Sequence, residues 1–248
     1  MNADRTRFFD NQVKYFRNAD ARKYWWMTAN PYFSSKEKEL LQLLNRLRPT
    51  SILEIGCGEG GNLANLEYQA GMAIGIDLFE DRCRFAQQHC PSAAYVRADG
   101  YRLPIRSNAL DVVFCRDLLH HVLDKEDFIL EMARACRPNG HVVCIEACGR
   151  NPVMFCLATA IRAERGLLAS NPERLKSLLE KAGLADVQVE MHQPLPSYRI
   201  LLHPSYGFPS LGERQWYRRW SDRADRLLAK LVPKRWWAYT VVSGRKPA

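Results

Sequence analysis

The sequence predicts a doubly wound α/β fold on a mainly parallel sheet, and three observations carry that prediction. From residue 36 to 191, segments with a helical period alternate with short apolar, strand-like runs. One such run, Ser51-Ile52-Leu53-Glu54-Ile55, feeds glycines at Gly56, Gly58 and Gly60, and a helical pattern follows. Glycine at that spacing lets a strand turn sharply into a helix and lets a ligand approach bare backbone. The next apolar run, Met72-Ala73-Ile74-Gly75-Ile76, closes on Asp77, 21 residues beyond Gly56. In a doubly wound sheet a carboxylate there meets the two hydroxyls of a ribose, so a nucleoside-containing cofactor is expected.

Each element has a local reason. Glu37–Leu47 reads as a helix because Leu40, Leu41, Leu43, Leu44 and Leu47 gather on one side, and Pro49 ends it. Strands are predicted near 51–55, 72–77, 94–97, 110–115 and 141–147, with helices in the gaps near 61–69, 80–89 and 125–136. Pro138-Asn139-Gly140 is the predicted turn into the fifth strand. Pro172 opens a helix over 172–182 that Gly183 stops, and Asp186–Met191 is a sixth strand. A long segment, about 192–235, precedes a last strand at Tyr239–Arg245. Connections of that length are uncommon in compact domains and usually functional. This one holds Pro194, Pro196, Pro204 and Pro209, then an amphipathic helix over Glu213–Leu231. Trp216, Trp220, Ala224, Leu227 or Leu228, and Leu231 recur every three or four residues, with Arg214, Arg218, Arg219, Arg223, Arg226 and Lys230 largely on other faces. The helix either packs on the domain surface through that stripe or lies against a lipid interface, and Trp236-Trp237 suits both. The expected organisation is one domain over 1–248: an arm over 1–35 that covers the cofactor and substrate, a cofactor-binding core over 36–191, a basic aromatic insertion over 192–237, and the final strand and tail over 238–248.

At 248 residues the chain can bury a full core. No long uncharged apolar span suits a bilayer, and Met1-Asn2-Ala3-Asp4-Arg5 lacks the apolar middle of a signal peptide, so a cytoplasmic location is expected. Eight cysteines occur without a Cys-x-x-Cys pair, several of them inside strand-like runs, which reads as buried reduced thiols. The net charge of +9 is unevenly spread. Residues 1–48 carry ten Lys/Arg against five Asp/Glu, residues 49–191 carry fifteen against nineteen, and residues 192–237 carry nine against three. A mildly acidic core with basic peripheral pieces suggests that those pieces meet an anionic substrate, a membrane surface or a nucleic acid.

The glycine triplet alone does not choose between cofactors, because dinucleotide-binding dehydrogenases use similar spacing. Glu54 stands two residues before Gly56, giving Glu-x-Gly-x-Gly-x-Gly. A second acid, Asp99, ends the third strand region (Tyr95-Val96-Arg97-Ala98-Asp99-Gly100), and Leu103-Pro104-Ile105 leads to the strand Leu110–Cys115 and then to Arg116-Asp117-Leu118-Leu119-His120-His121-Val122. Arg134-Ala135-Cys136-Arg137-Pro138-Asn139-Gly140 precedes the fifth strand. This ordered set resembles the class I S-adenosylmethionine-dependent methyltransferases, in the branch of the ubiquinone/menaquinone C-methyltransferases, over about residues 36–191 and again in the last strand. The resemblance implies a Rossmann-like seven-stranded sheet, six strands parallel and the last antiparallel, with 186–191 and 239–245 as its terminal hairpin. It implies S-adenosylmethionine as cofactor. Glu54, Gly56, Cys57 and Gly58 would lie along its methionine and ribose, and Asp77 would hold the ribose hydroxyls with Leu78 beside the adenine. Asp99 and Gly100 would read the adenine edge, and Arg116 would sit near the sulfonium. The arm, with Phe9-Asp10, Tyr15, Tyr24-Trp25-Trp26 and Asn30-Pro31-Tyr32-Phe33, looks like the cofactor-covering segment of this branch, its aromatic faces suited to a sulfonium.

Methyl transfer is an in-line displacement that needs a base only when the nucleophile must lose a proton. His120, then His121, are the candidates for that role, placed just past the carboxyl end of the fourth strand. Asp117 and Glu146 are secondary candidates, and Asp111, which precedes its strand's apolar run, reads as structural. Metal-ligand spacings are absent, so no metal is expected. The expected acceptor is a small, partly apolar, anionic or lipid-linked molecule methylated on oxygen or carbon, less so on nitrogen, at a site that includes the arm and the insertion. An anionic membrane surface at the inner face of a membrane is a further expected partner. The competing readings are an RNA or protein methyltransferase that docks through the Arg-rich helix, and a cofactor-binding module without catalysis.

Overall fold

The computed structural model describes residues 12–17, 21–203 and 207–248; the positions of Phe9, Asp10 and Pro204 lie outside these. Strands β1 (Ser51–Ile55), β2 (Met72–Asp77), β3 (Ala94–Arg97), β4 (Leu110–Arg116), β5 (Cys136–Ala147), β6 (Ala185–His192) and β7 (Tyr239–Arg245) form one sheet in the order β3-β2-β1-β4-β5-β7-β6. The pairs β1–β2, β2–β3, β1–β4 and β4–β5 are parallel, and β7 runs antiparallel between β5 and β6. Six strands therefore point one way and β7 the other, as the resemblance implies. Strand order reverses between β1 and β4, which opens a crevice at their carboxyl ends, where doubly wound sheets bind ligands.

Both faces of the sheet are covered, so the central runs Val112–Cys115 of β4 and Val142–Ile145 of β5 are continuously apolar and buried. On one face Phe128, Ile129 and Met132 of the Lys125–Ala135 helix, with Leu175, Leu178 and Leu179 of the Pro172–Lys181 helix, pack on Leu53, Val113 and Val142. On the other, Leu40, Leu41 and Leu44 meet Ile52, Phe114, Val143 and Met154. Among the described residues no helix is long and apolar enough to cross a membrane.

Several elements differ from expectation. The helix predicted over Glu37–Leu47 is two helices, Pro31–Leu40 and Gln42–Leu47; the first begins early because Asn30 accepts from the Tyr32 and Phe33 amides and Pro31 takes the first helical position. The helix predicted near 61–69 is a single turn, Gly61–Ala64, because the Glu67 amide donates to the Asn45 side chain and the ladder ends. Pro138-Asn139-Gly140 lies inside β5 as an irregularity: pairing shifts from Leu110 with Cys136 to Val112 with His141, Asn139 has φ of 61°, and a Cβ on Gly140 would come within 2.6 Å of the Asp111 carbonyl oxygen. A helix at Pro152–Ala160 and a 3₁₀ segment at Arg162–Ala169 occupy a stretch with no predicted element. The Pro152–Ala160 segment is apolar nearly all round and so shows no period, although the Asn151-Pro152 cap marks its start.

The long connection before β7 contains a short helix, Ser197–Leu201, and a long one, Gln215–Leu231. Tyr198, Leu202 and Tyr217 pack with Tyr32 and Phe33 into a small cluster that joins the insertion to the arm. Of the two readings of the long helix, packing on the domain through the Trp216–Leu231 stripe is not what occurs; another face meets the domain. Tyr217 and Ser221 are buried, and the helix's only acids, Asp222 and Asp225, turn inward to the buried Lys36 ammonium at 2.8 and 2.9 Å. The apolar stripe points to solvent instead: Trp216 is 63% exposed, Trp220 52%, Leu227 58% and Leu231 67%.

Candidate functional site

A cavity of about 740 Å³ opens at the β1/β4 crevice. Of the residues singled out from sequence, Tyr15, Gly56, Cys57, Gly58, Asp77, Leu78, Asp99, Gly100, Arg116, His120 and His121 all line it. Glu54 lies outside the lining, fully buried. Phe16 and Phe33 also face the cavity, whereas Trp25 packs on Phe85 and His89, and Trp26 and Tyr32 belong to the arm–insertion cluster. Those three aromatics are packing residues, not part of the wall.

The glycine loop is shaped by backbone. Gly56, Gly58 and Gly60 have φ of 75°, 51° and 81°, values that side chains disfavour, and a Cβ on Gly56 would press on Leu118 at 2.9 Å. The Gly56 and Cys57 amides donate to the Ile76 carbonyl, tying the loop to β2. Asp77 continues that tie: one carboxylate oxygen accepts from the Gly58 amide and the other from the Phe79 amide, both at 2.9 Å. Each oxygen retains acceptor capacity, which is the requirement for gripping a vicinal diol. Asp99 is exposed at the rim and accepts from the Tyr101 amide. Asp111 accepts from the Ser51 amide and hydroxyl and from Arg137, far from the cavity, in a structural role.

Beneath the loop runs a chain of polar side chains. Asn62 donates to Glu54 Oε1 at 2.5 Å and accepts from Arg116 Nη1 at 2.8 Å. Glu54 Oε2 is buried without a partner among the described residues, and burial pushes the Glu54 pKa up to about 8. Arg116 pairs with Glu37, whose two oxygens also accept from Arg199 Nη2 at 3.0 and 2.8 Å, and Oε1 accepts from the Tyr198 hydroxyl at 2.6 Å. Burial works to raise the Glu37 pKa, yet the Arg116 and Arg199 guanidiniums hold it below the usual carboxylate value. Arg199 stacks 4.6 Å over the Tyr239 ring. Through Arg199, Ile200 and His203 the insertion forms part of the cavity wall.

His120 is not poised as a free base. It is buried, with Nδ1 2.7 Å from Glu146 Oε2 and Nε2 3.1 Å from Glu164 Oε2. Burial opposes its protonation, but the two carboxylates prevail and push its pKa up to about 10. The expectation that His120 accepts a proton is therefore corrected: both ring nitrogens are already engaged. Burial and the neighbouring His120 charge move His121 the opposite way, well below the usual imidazole value. Glu146 is a positioning residue, its Oε1 accepting from the Leu118 and Leu119 amides. Glu164 comes from the unexpected 162–169 segment, and its Oε2 lies 3.9 Å from His121 Nε2. His120, His121 and Glu164 thus form a grouping of metal-ligand type, contrary to the absence of ligand spacing in the sequence. Glu37, Asn62, Arg199 and Glu164 had no local motif to mark them; only the fold brings them together.

The chain matches the family model described as a methyltransferase domain over residues 53–144. It is 31% identical to norajmaline N-methyltransferase of Rauvolfia serpentina over 111 residues, 42% of this chain and 38% of that protein. It is 32% identical to a ubiquinone biosynthesis O-methyltransferase of Leptothrix cholodnii over 126 residues, 47% of this chain and 52% of that one. The matched region thus spans about half or less of these relatives' lengths. Phosphoethanolamine N-methyltransferase 2 of Haemonchus contortus, solved with S-adenosyl-L-methionine, superposes with a TM-score of 0.69 at 20% identity, over 97% of this chain and 60% of that one.

Proposed function

We propose that this chain, a class I S-adenosylmethionine-dependent methyltransferase by its motifs, fold and relatives, transfers a methyl group to an oxygen or carbon of a small apolar or lipid-linked, anionic acceptor. The observation that supports this reading is the two-sided lining of one cavity. On the side of β1, β2 and β3 the wall is the glycine loop with Asp77, Leu78 and Asp99; beyond β5 it is mainly Val153, Met154, Leu157, Ile161 and Leu167, with Glu164 among them. In the first half Asp77 would take the ribose hydroxyls, Leu78 would lie by the adenine, and Asp99 with Gly100 would meet its amino edge. Gly56, Cys57, Gly58 and Arg116 would flank the methionine part, with Tyr15 covering it, while the buried Glu54 would act only from beneath the loop through Asn62. The cofactor brings its own leaving group, so the work of the chain is to hold, orient and exclude water. A partly apolar chamber beside the sulfonium would suit a bulky acceptor. The test is incubation of the full chain with methyl-labelled cofactor and host extract. Label in the organic-soluble small molecules is expected. Label in RNA or protein instead would overturn the acceptor class and assign the Arg-rich helix to docking. Cofactor binding without any label would make the chain a binding module.

The Gln215–Leu231 helix supports a peripheral location on an anionic bilayer surface. On a 3.6-residue repeat, Trp216, Trp220, Leu227 and Leu231 fall within about 60° of arc, and Arg219, Arg223, Arg226 and Lys230 fill the neighbouring arc of about 60°. All eight are exposed, and the helix's acids are turned inward. Apolar side chains can enter the acyl boundary while the flanking cations meet lipid phosphate. The protein is expected to float with phosphatidylglycerol-containing vesicles and not with phosphatidylcholine alone, and Trp216→Ala/Trp220→Ala to stay behind. Failure of the wild type to float removes this location.

A further inference from the structure

We propose that His120, His121 and Glu164 bind one divalent first-row transition-metal ion at the cavity wall. One ligand atom from each of the three residues lies within 4.8 Å of the other two. A cation bonded at about 2.0 to 2.2 Å to each sets ligand separations of roughly 3 to 3.5 Å; the two distances measured to Glu164, 3.1 and 3.9 Å, need little adjustment.

The surroundings fix which atoms face inward. Glu146 already accepts two backbone amides on Oε1, so its Oε2 takes the Nδ1–H of His120. That leaves His120 Nε2 to meet the Glu164 carboxylate at 3.1 Å, a contact that a proton or a metal cation between the two atoms can make favourable. A proton on Nε2 would serve this pair alone, whereas a metal ion would also engage His121, whose Nε2 lies 3.9 Å from the same oxygen. One cation serves all three. The arrangement, a histidine ligand whose other nitrogen is held by a carboxylate, is the one metal sites use to orient imidazole.

The backbone is built for this approach. The histidines sit on the 3₁₀ turn Leu119–His121 and the acid on the 3₁₀ segment Arg162–Ala169. A Cβ on Gly166 would lie 1.8 Å from the His120 carbonyl oxygen, and one on Gly149 2.1 Å from that of Leu167. Only glycine at both positions lets the second segment close on the first. Two imidazoles and one carboxylate favour zinc, cobalt, nickel or iron over magnesium or calcium, which prefer oxygen ligands. Three protein ligands leave a position open toward the cavity. Its role rests on the methyltransferase reading: an acceptor hydroxyl bound there would release its proton to water. Its oxygen would then attack the methyl carbon as the C–S bond breaks, the electron pair staying on the sulfur of S-adenosylhomocysteine.

The test uses the full chain, treated with chelator, dialysed against Co²⁺ and then titrated calorimetrically with S-adenosylmethionine. One Co²⁺ per chain is expected, with visible d–d absorption, no thiolate-to-metal charge-transfer band, and no displacement by Mg²⁺. Glu164→Gln and His121→Ala, each checked for retained fold by circular dichroism, should each weaken uptake at least tenfold. No uptake, a thiolate band, displacement by Mg²⁺ or uptake unchanged in a folded variant overturns the site. Cofactor heat without Co²⁺ uptake would defeat the metal alone; absent cofactor heat would defeat the methyltransferase reading.

Discussion

Asp77→Ala is expected to weaken S-adenosylmethionine binding by about 100-fold, read by calorimetry. The carboxylate is buried at the end of β2 and would accept two ribose hydroxyls while it holds the Gly58 and Phe79 amides. Hydrogen bonds to a charged group are worth about 1.5 to 3 kcal/mol each, and each 1.4 kcal/mol is about tenfold in affinity. Losing both ribose contacts accounts for the factor; the slackened loop can only add to it. S-adenosylhomocysteine has the same ribose and should lose affinity in parallel. Asp99→Ala removes an exposed rim acid and should cost about tenfold at most. Unchanged affinity in Asp77→Ala would displace the ribose from the end of β2 and with it the rest of the cofactor placement.

The contrast between Asp77 and Glu164 explains what the sequence could reveal. Asp77 is legible because strand geometry fixes it: the period of an apolar run places its last residue at the sheet edge, and the crossover places that edge beside the glycine turn. The same logic located the strands and the helices at 80–89, 125–135 and 172–181 within a few residues. Glu164 obeys no such period. It sits in a 3₁₀ segment whose position depends on contacts at Gly149 and Gly166, between residues far apart in the chain. Arg199 is likewise placed by the aromatic cluster of Tyr32, Phe33, Tyr198 and Tyr217. The long helix was recognisable as amphipathic, but its orientation was not. Periodicity identifies an apolar face without saying what it meets, and here the buried Lys36 recruits the opposite face through Asp222 and Asp225.

Glu37→Gln should lower stability by about 3 to 5 kcal/mol, the typical cost of breaking a buried ion pair by removing one partner. The substitution conserves volume but leaves the Arg116 and Arg199 guanidiniums close together without the charge between them. Arg199→Met should cost less, because the Glu37–Arg116 pair then remains balanced. The pH dependence has a definite sign. With its pKa held below the ordinary carboxylate value of about 4.3, Glu37 contributes its full stabilisation above that pH, and the contribution is lost as pH falls through the lowered value. The gap between wild type and Glu37→Gln, measured as urea midpoints, should therefore be constant near neutrality and close in acid. A gap below about 1 kcal/mol, or one that persists unchanged into acid, would show that the carboxylate does not anchor the two cations. Function depends on the same junction. Arg116 reaches Asn62 and so Glu54 beneath the glycine loop, while Arg199 belongs to the insertion. Releasing both from Glu37 should loosen the support of the glycine loop and the insertion's side of the cavity together, so cofactor affinity ought to fall in Glu37→Gln even at temperatures where the fold survives.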